Sequence, residues 1–533
     1  MLQGEVTKTV GAGVVYTRQW TVELMLDLAG YTPDRDLVGG TIVEPSCGEG
    51  AFLIEIVRRL LVSATSRAVP IRDLVNAVRA FEIDGRAANM ARARVKSVLL
   101  EAAVDPEIAE SLTTAWILER DFLLEAPSES SARWVVGNPP YVRVGEVDHD
   151  LAVRYRNLWP LMRRRADLYI GFFEAGLRSL EDGGVQVFIA PDRWMRNQYG
   201  EPLRRLLDED FALELVVDLH STQPFASRVA AYPAVTVIRR SPPSSTDVLR
   251  VRKGVESVTS GMITQGRAAT QEPLIERSEL LRESGHRWAF APQAHVERLR
   301  RSSSTFLSLE ETGAVVRAGI ATGADRVFVT SDSTLVERAA LTPVVGPKDL
   351  RSGELSWVGR YLVNPWRDGD LLPLASQDLP RLFSYFEDHK RELQNRYVSR
   401  RNPETWWRTI DRPVDENWRR PKLLIADINH QIEPVLAGEE FLPLNTLFYI
   451  TSSTWDLEVL GGLLMSETAG DSVRAYSVAM SSGSLRMSAQ YLRLLRIPAP
   501  DEISAEDAKR LTTAFRSRDR GEASRIGARL LGG

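Results

Sequence analysis

The sequence predicts an α/β fold, with a mostly parallel, doubly wound sheet over residues 1–245 and a second domain over 246–533. Three observations predict it. Short β-rich apolar runs alternate with segments of helical apolar spacing. A glycine-bearing turn joins the first run to the first helix, and the rhythm stops at Ser241-Pro242-Pro243-Ser244-Ser245.

The first run is Thr41-Ile42-Val43, followed by Ala77–Phe81, Trp134-Val135-Val136, Val185–Ile189, Leu213–Val217 and Ala234–Ile238. Each is mostly apolar, as expected of strands covered by helices on both faces. Ala51–Val62 and Leu168–Leu180 carry apolar residues at helical intervals, and Gly183-Gly184 is expected to end the second helix. Beyond residue 245 the punctuation is less regular and tryptophans accumulate (Trp357, Trp366, Trp406, Trp407, Trp418, Trp455). There is no internal repeat.

Composition narrows the class. A chain of 533 residues is too long for one core, and 44% hydrophobic with 26% charged residues is a globular balance. No apolar run approaches the length of a membrane span, and the first ten residues lack the apolar core of a signal peptide. The single cysteine, Cys47, excludes an internal disulfide and a cysteine-rich zinc site, and the six histidines show no metal-ligand spacing. The expectation is a cytoplasmic, metal-independent protein with no membrane partner. The net charge of −4 does not favour a polyanion, although a basic cleft can sit on an acidic body. The basic clusters Arg163-Arg164-Arg165, Arg298–Arg301, Arg400-Arg401 and Arg419-Arg420-Pro421-Lys422 each read as a solvated face or as a phosphate contact.

Three segments carry chemistry. Glu44-Pro45-Ser46-Cys47-Gly48-Glu49-Gly50 follows a strand and opens a helix, where glycines let the backbone approach a ligand and the helix offers unpaired N–H donors. Glu82-Ile83-Asp84 ends the second strand: Glu82 is placed to take both hydroxyls of a ribose and Ile83 to pack on an adenine. Asn138-Pro139-Pro140-Tyr141 ends the fourth strand. Its prolines stiffen the turn and remove two N–H donors, leaving an amide oxygen, outward carbonyls and an aromatic plate. That set suits a planar substrate bearing an NH2 group.

With these motifs in this order, the chain resembles the gamma-class adenine-N6 DNA methyltransferases of type II restriction-modification. The family's opening motif is similar to Gly13-Val14-Val15-Tyr16-Thr17, although a proline usually follows the threonine and this sequence has Arg18. Glu44 to Leu53 matches the cofactor loop, in which Cys47 is a small packing element and not a nucleophile. Glu82-Ile83-Asp84 matches the strand-two motif, and Asp121-Phe122 the pair that binds the cofactor's adenine. Asn138-Pro139-Pro140-Tyr141 matches the catalytic motif. Phe225 resembles the second aromatic against the target base, with Tyr232 as the other candidate. Beyond residue 300, Gly319–Gly323, Trp406-Trp407-Arg408, Pro421–Leu424 and Leu495–Pro498 resemble the recognition domain.

The resemblance implies a Rossmann-like class I S-adenosylmethionine-dependent catalytic domain over 1–245 and an α+β DNA target-recognition domain over 246–533. It implies that S-adenosylmethionine is held by Tyr16, Thr17, Glu44, Pro45, Cys47, Gly48, Gly50, Glu82, Ile83, Asp121, Phe122 and Asn138. Asn138, Pro139 and Tyr141 would act on an adenine flipped out of duplex DNA. A separate restriction endonuclease acting on the same site fits this picture; a fused one does not, since the first motif begins near residue 13. Four readings stay open on sequence alone: methylation of a protein glutamine, of RNA guanine-N2, of cytosine-N4, or a catalytically silent DNA-binding subunit.

Overall fold

The computed structural model describes residues 16–531 apart from 127–130, 164–165, 228–231, 269–273, 284–286, 292–295, 298, 302–304, 352, 375–377, 414–415 and 478–484. Gly13-Val14-Val15 of the opening motif, Arg164, Arg165 and Arg298 lie outside the described residues. The chain divides into two compact units, Met1–Gln293 and Ala294–Gly533.

The first unit is built on strands β1 (Thr41–Glu44), β2 (Val78–Glu82), β3 (Ile117–Glu119), β4 (Ala132–Gly137), β5 (Leu180–Pro191), β6 (Ala212–Asp218), β7 (Pro233–Arg239), β8 (Asp247–Val251), β9 (Ile275–Glu283) and β10 (Arg287–Ala291). They form one sheet in the order β10-β9-β8-β6-β7-β5-β4-β1-β2-β3. The pairs among β1 to β5 are parallel, and β7 inserts antiparallel between β5 and β6. From β1 the chain crosses to β2 on one side and later returns through β4 on the other. The carboxyl ends of β1 and β4 therefore flank a crevice that no crossover covers, the usual ligand position in such sheets.

Side chains alternate across a strand, and neighbouring residues here enter different cores. Ile42, Ala80 and Val136 pack in a layer with α1 (Gln19–Leu28), α2 (Ala51–Ser66) and α3 (Gly85–Glu101), whereas Val43, Phe81 and Val135 pack on the opposite face with α4 (Tyr169–Ser179). Burial on both faces explains why these runs are mostly apolar, with Arg79 at an exposed position of β2. No helix among the described residues is long and apolar enough to cross a membrane.

Two expectations are corrected. Helix α4 ends at Ser179, and Gly183-Gly184 lie inside β5. Gly183 has φ of +80° where the register between β4 and β5 shifts, so the glycine serves a strand irregularity and not a helix end. The break at Ser241–Ser245 is a loop within the first unit, which runs on to Gln293. Strand β8 pairs parallel with β6 from Leu215↔Asp247 to Asp218↔Arg250, and β9 and β10 extend the sheet. Proline and serine mark the turn, but edge pairing decides where the core ends.

The second unit is α+β. An antiparallel sheet of Ala314–Ala318, Leu447–Ser452, Lys422–Ala426 and Val435–Ala437 packs in a core with Phe328, Phe386, Trp406, Trp407 and Trp418. Helices Leu457–Leu464, Glu467–Tyr476, Ala505–Ser517 and Arg520–Leu530 follow. Lys422 is fully buried in its strand with Nζ donating to the Gly438 carbonyl, so it leaves the predicted basic cluster. Burial lowers its pKa to about 8.

Candidate functional site

The loop from β1 to α2 is fixed from both sides. The Cys47 N–H donates to the Phe81 carbonyl at 2.9 Å, and the Gly48 N–H donates to Glu82 Oε2 at 2.8 Å. Gly50 caps α2 at φ +88°, and a Cβ there would sit 3.3 Å from the Ala91 backbone. A side chain at 50 would thus meet both a conformational penalty and a tight contact with α3. The first turn of α2 opens onto the crevice, bringing its free N–H groups and positive dipole end with it.

The crevice is lined by residues from every predicted motif: Glu44, Pro45, Cys47 and Gly48 after β1, Glu82 and Ile83 after β2, Asp121 and Phe122 after β3, Asn138 and Pro139 after β4, and Tyr16 and Thr17 before α1. Gly50 stands just behind this lining as the helix cap. Sequence reasoning missed Ser46, Tyr155, Leu168 and Phe172, which also line it. The Tyr155 hydroxyl donates to Asp121 Oδ2 at 2.5 Å, and the Phe172 ring stacks on Phe122 at 5.6 Å between centroids and 27° between planes. Phe172 was visible only as one of two adjacent aromatics in an apolar helix. Tyr155 belongs to the helix His149–Leu158, which bears no motif.

Electrostatically the crevice is a buried acidic floor. Glu44 is 1% exposed, and its Oε2 has no hydrogen-bond partner among the described residues. Burial, and then the nearby Glu82, push its pKa well up. Burial also raises Glu82, against the pull of the Asp84, Gly48 and Ile83 N–H groups. Its Oε1 accepts from the Asp84 N–H at 2.9 Å. Each carboxylate oxygen has a second acceptor direction, so Glu82 could still take hydroxyl donors. Asp121 is raised by burial, while Tyr155 and the Leu123 N–H work against that rise. Burial and two acidic neighbours raise Cys47 well above the ordinary thiol range, which keeps it a thiol. Phe122 is 2% exposed and edge-on to Phe81, so it forms a packed wall of the crevice.

At the end of β4, the Asn138 amide Nδ2 donates to Thr17 Oγ1 at 3.2 Å, and Ser46 donates to the Asn138 backbone carbonyl at 3.1 Å. Two loops thus hold the turn. The Tyr141 hydroxyl donates to the Ile189 carbonyl at 3.2 Å. Its ring meets Tyr169 edge-on at 6.5 Å and Phe225 at 6.1 Å, 73° between planes. Phe225 is 4% exposed, so the two rings touch edge to face and leave no parallel slot between them. Tyr232 lies against His220 instead, at 4.8 Å, and takes no part in this cluster.

A family model described as Eco57I restriction-modification methylase matches residues 122–225, from the Phe122 wall to Phe225. Over 98% of its length the chain is 37% identical to the type II methyltransferase M.XhoI of Xanthomonas vasicola, covering 97% of that protein. It is 36% identical to the type II methyltransferase M.PaeR7I of Pseudomonas aeruginosa, with 98% of this chain and 92% of the relative covered. Among solved structures, the type IIL restriction-modification enzyme MmeI in complex with DNA aligns with 99% of this chain and 74% of its own, at a TM-score of 0.60 and 14% identity. A nuclease-deletion mutant of the type ISP enzyme LlaGI aligns with 95% of this chain and 54% of its own, at 0.52 and 11%.

Proposed function

The chain belongs to the type II methyltransferases of restriction-modification, and from that premise we propose that it transfers the methyl group of S-adenosylmethionine to the N6 amino group of an adenine flipped out of duplex DNA. One observation carries the reading: the Asn138-Pro139-Pro140 turn opens into the same crevice as Glu82 and the glycine loop. An acceptor for an NH2 group and a seat for a nucleoside thereby share one wall of the sheet.

The crevice suits such a cofactor. The buried Glu44 oxygen without a protein donor is an acceptor that a ligand's ammonium or hydroxyl group can satisfy. Glu82 would hold the ribose, with Ile83, Asp121 and Phe122 around the adenine. Tyr16, Thr17, Pro45, Cys47, Gly48 and Gly50 would shape the remaining wall. When bound, S-adenosylmethionine supplies an electrophilic methyl group.

The protein's own contribution is positioning. An adenine amino nitrogen is a poor nucleophile because its lone pair is delocalised into the ring. The Asn138 side-chain oxygen and the Pro139 carbonyl accept its two hydrogens and draw the nitrogen toward tetrahedral geometry, freeing the lone pair. Two bonds support this role: the Asn138 amide donates to Thr17 and Ser46 donates to the Asn138 backbone carbonyl, so the turn that carries both acceptors is held from two loops. Tyr141 stacks on the extruded base, which helps offset an unpairing cost of a few kcal/mol. For a base to lie between Tyr141 and Phe225, the Phe225 ring must turn from its present edge-on contact.

Residues 246–533 are assigned target recognition, and a separate endonuclease reading the same site is a partner that fits this role. Sequencing of DNA from a methylation-free host expressing the protein tests the reading. Modified adenine at one recurring sequence supports it, and modified cytosine or DNA without any modified base overturns it.

A further inference from the structure

We propose that Arg18 is a positioning residue for the target base, acting through Phe225 from outside the pocket. The inference rests on the reading of Tyr141 and Phe225 as the walls against the flipped base.

Arg18 stands where the resembling family usually has proline, and the structure uses two features that proline lacks. Its backbone N–H donates to the Pro224 carbonyl at 2.9 Å. Its guanidinium Nε donates to the Phe225 carbonyl at 2.9 Å, and Nη2 reaches Gln223 Oε1 at 3.3 Å. Thr17 pairs antiparallel with Phe225, the Ala226 N–H donates to the Tyr16 carbonyl at 2.9 Å, and Thr21 Oγ1 donates to the Pro224 carbonyl at 3.1 Å. The backbone of residues 224–226 is therefore fastened to residues 16–21 across more than 200 positions of sequence. With that backbone held, Phe225 can make room for a base only by turning its ring. The ring then stays beside Tyr141 and on the same strip of chain that fixes Asn138 through Thr17. Of the side chains in this strip, Arg18 alone donates to the Phe225 carbonyl itself, and it is exposed, so trimming it opens no core cavity.

An exposed arginine can also be a plain phosphate contact, and the test separates the two. Affinity is measured for the full-length protein on a duplex carrying its mapped site, and on the same duplex with an abasic position in place of the target nucleotide. Arg18→Ala and Phe225→Ala should each weaken the base-containing duplex at least fivefold and change the abasic duplex less than twofold. Cofactor affinity should stay within twofold, and Arg18→Lys should recover part of the loss. Equal loss on both duplexes makes Arg18 a phosphate contact and overturns the proposal. If Phe225→Ala shows the pattern and Arg18→Ala does not, the proposal fails alone. If neither variant distinguishes the duplexes, the reading of the aromatic pocket fails and the proposal falls with it.

Discussion

The amide nitrogen of Asn138 donates to the hydroxyl of Thr17, 121 positions earlier in the chain, at 3.2 Å. With its nitrogen engaged by Thr17, the Asn138 amide has its oxygen turned away from that hydroxyl. Thr17→Val keeps the shape and deletes the acceptor, at a loss of about 0.5–1.5 kcal/mol. Single-turnover methyl transfer should slow by roughly two- to tenfold in this variant and stay near wild type in Thr17→Ser. A Thr17→Val enzyme at full rate would show that Asn138 needs no such support.

Cofactor affinity should depend on pH through two carboxyls. Glu82 and Glu44 are both raised by burial, Glu44 the further, so each accepts best above its raised value and loses that ability as pH falls through it. Calorimetric titration should show affinity falling at a higher pH than ordinary glutamates would give. Because Glu82 is one cause of Glu44's rise, Glu82→Gln should remove one step and move the other to lower pH. A pH-independent affinity would take both residues out of the site.

The Tyr141 hydroxyl is tied to the Ile189 carbonyl, while the ring faces Tyr169 and Phe225. Tyr141→Phe should lose about 1 kcal/mol of stability and keep most turnover. Tyr141→Ala should lose turnover and most of the preference for a duplex mismatched at the target. Thermal melting and competition binding separate the two effects, and equal turnover in both variants would remove the ring from the chemistry.

The end of the first unit has a direct consequence for truncation. A fragment ending at residue 245 lacks β8, in which Val248, Leu249 and Val251 are at most 4% exposed, and uncovers the edge of β6. Each buried aliphatic side chain stabilises the fold by about 1.5–3 kcal/mol, so the shorter piece should aggregate or melt far below a fragment ending at 293. Only the longer piece should bind cofactor as a folded unit. Equal melting temperatures would place the boundary at 245 after all.

The crevice was legible in the sequence because its parts are local: a loop, a strand tip and a turn each announce themselves within ten residues. The six apolar runs were legible for a similar reason, since burial on both faces leaves few polar positions to blur them. What escaped depends on distance along the chain. Tyr155 reaches Asp121 from a helix without a motif, and Phe172 stacks on Phe122 across 50 positions. Strands β8 to β10 carry charged residues, including Arg250, Glu276 and Arg282, and their place in the sheet is set by the pairing of β8 with β6, of β9 with β8 and of β10 with β9. Gly183 followed the opposite course, because a glycine pair after a helix and one at a strand irregularity look identical in sequence.

The central claim is that Asn138 and Pro139 present preplaced acceptors to an adenine amino group. An acceptor that acts most strongly in the transition state should affect rate far more than binding. Asn138→Ala should lose about 2.7–4 kcal/mol of transition-state stabilisation, roughly a hundred- to a thousandfold in rate, with cofactor and DNA affinities nearly unchanged. The most direct measurement is mass spectrometry of nucleosides from duplex DNA incubated with S-adenosylmethionine and either wild-type protein or Asn138→Ala. The expected result is N6-methyladenine with the wild type and a signal at least a hundredfold slower to appear with the variant. N4-methylcytosine as the wild-type product, or N6-methyladenine formed equally fast by both proteins, would contradict the account.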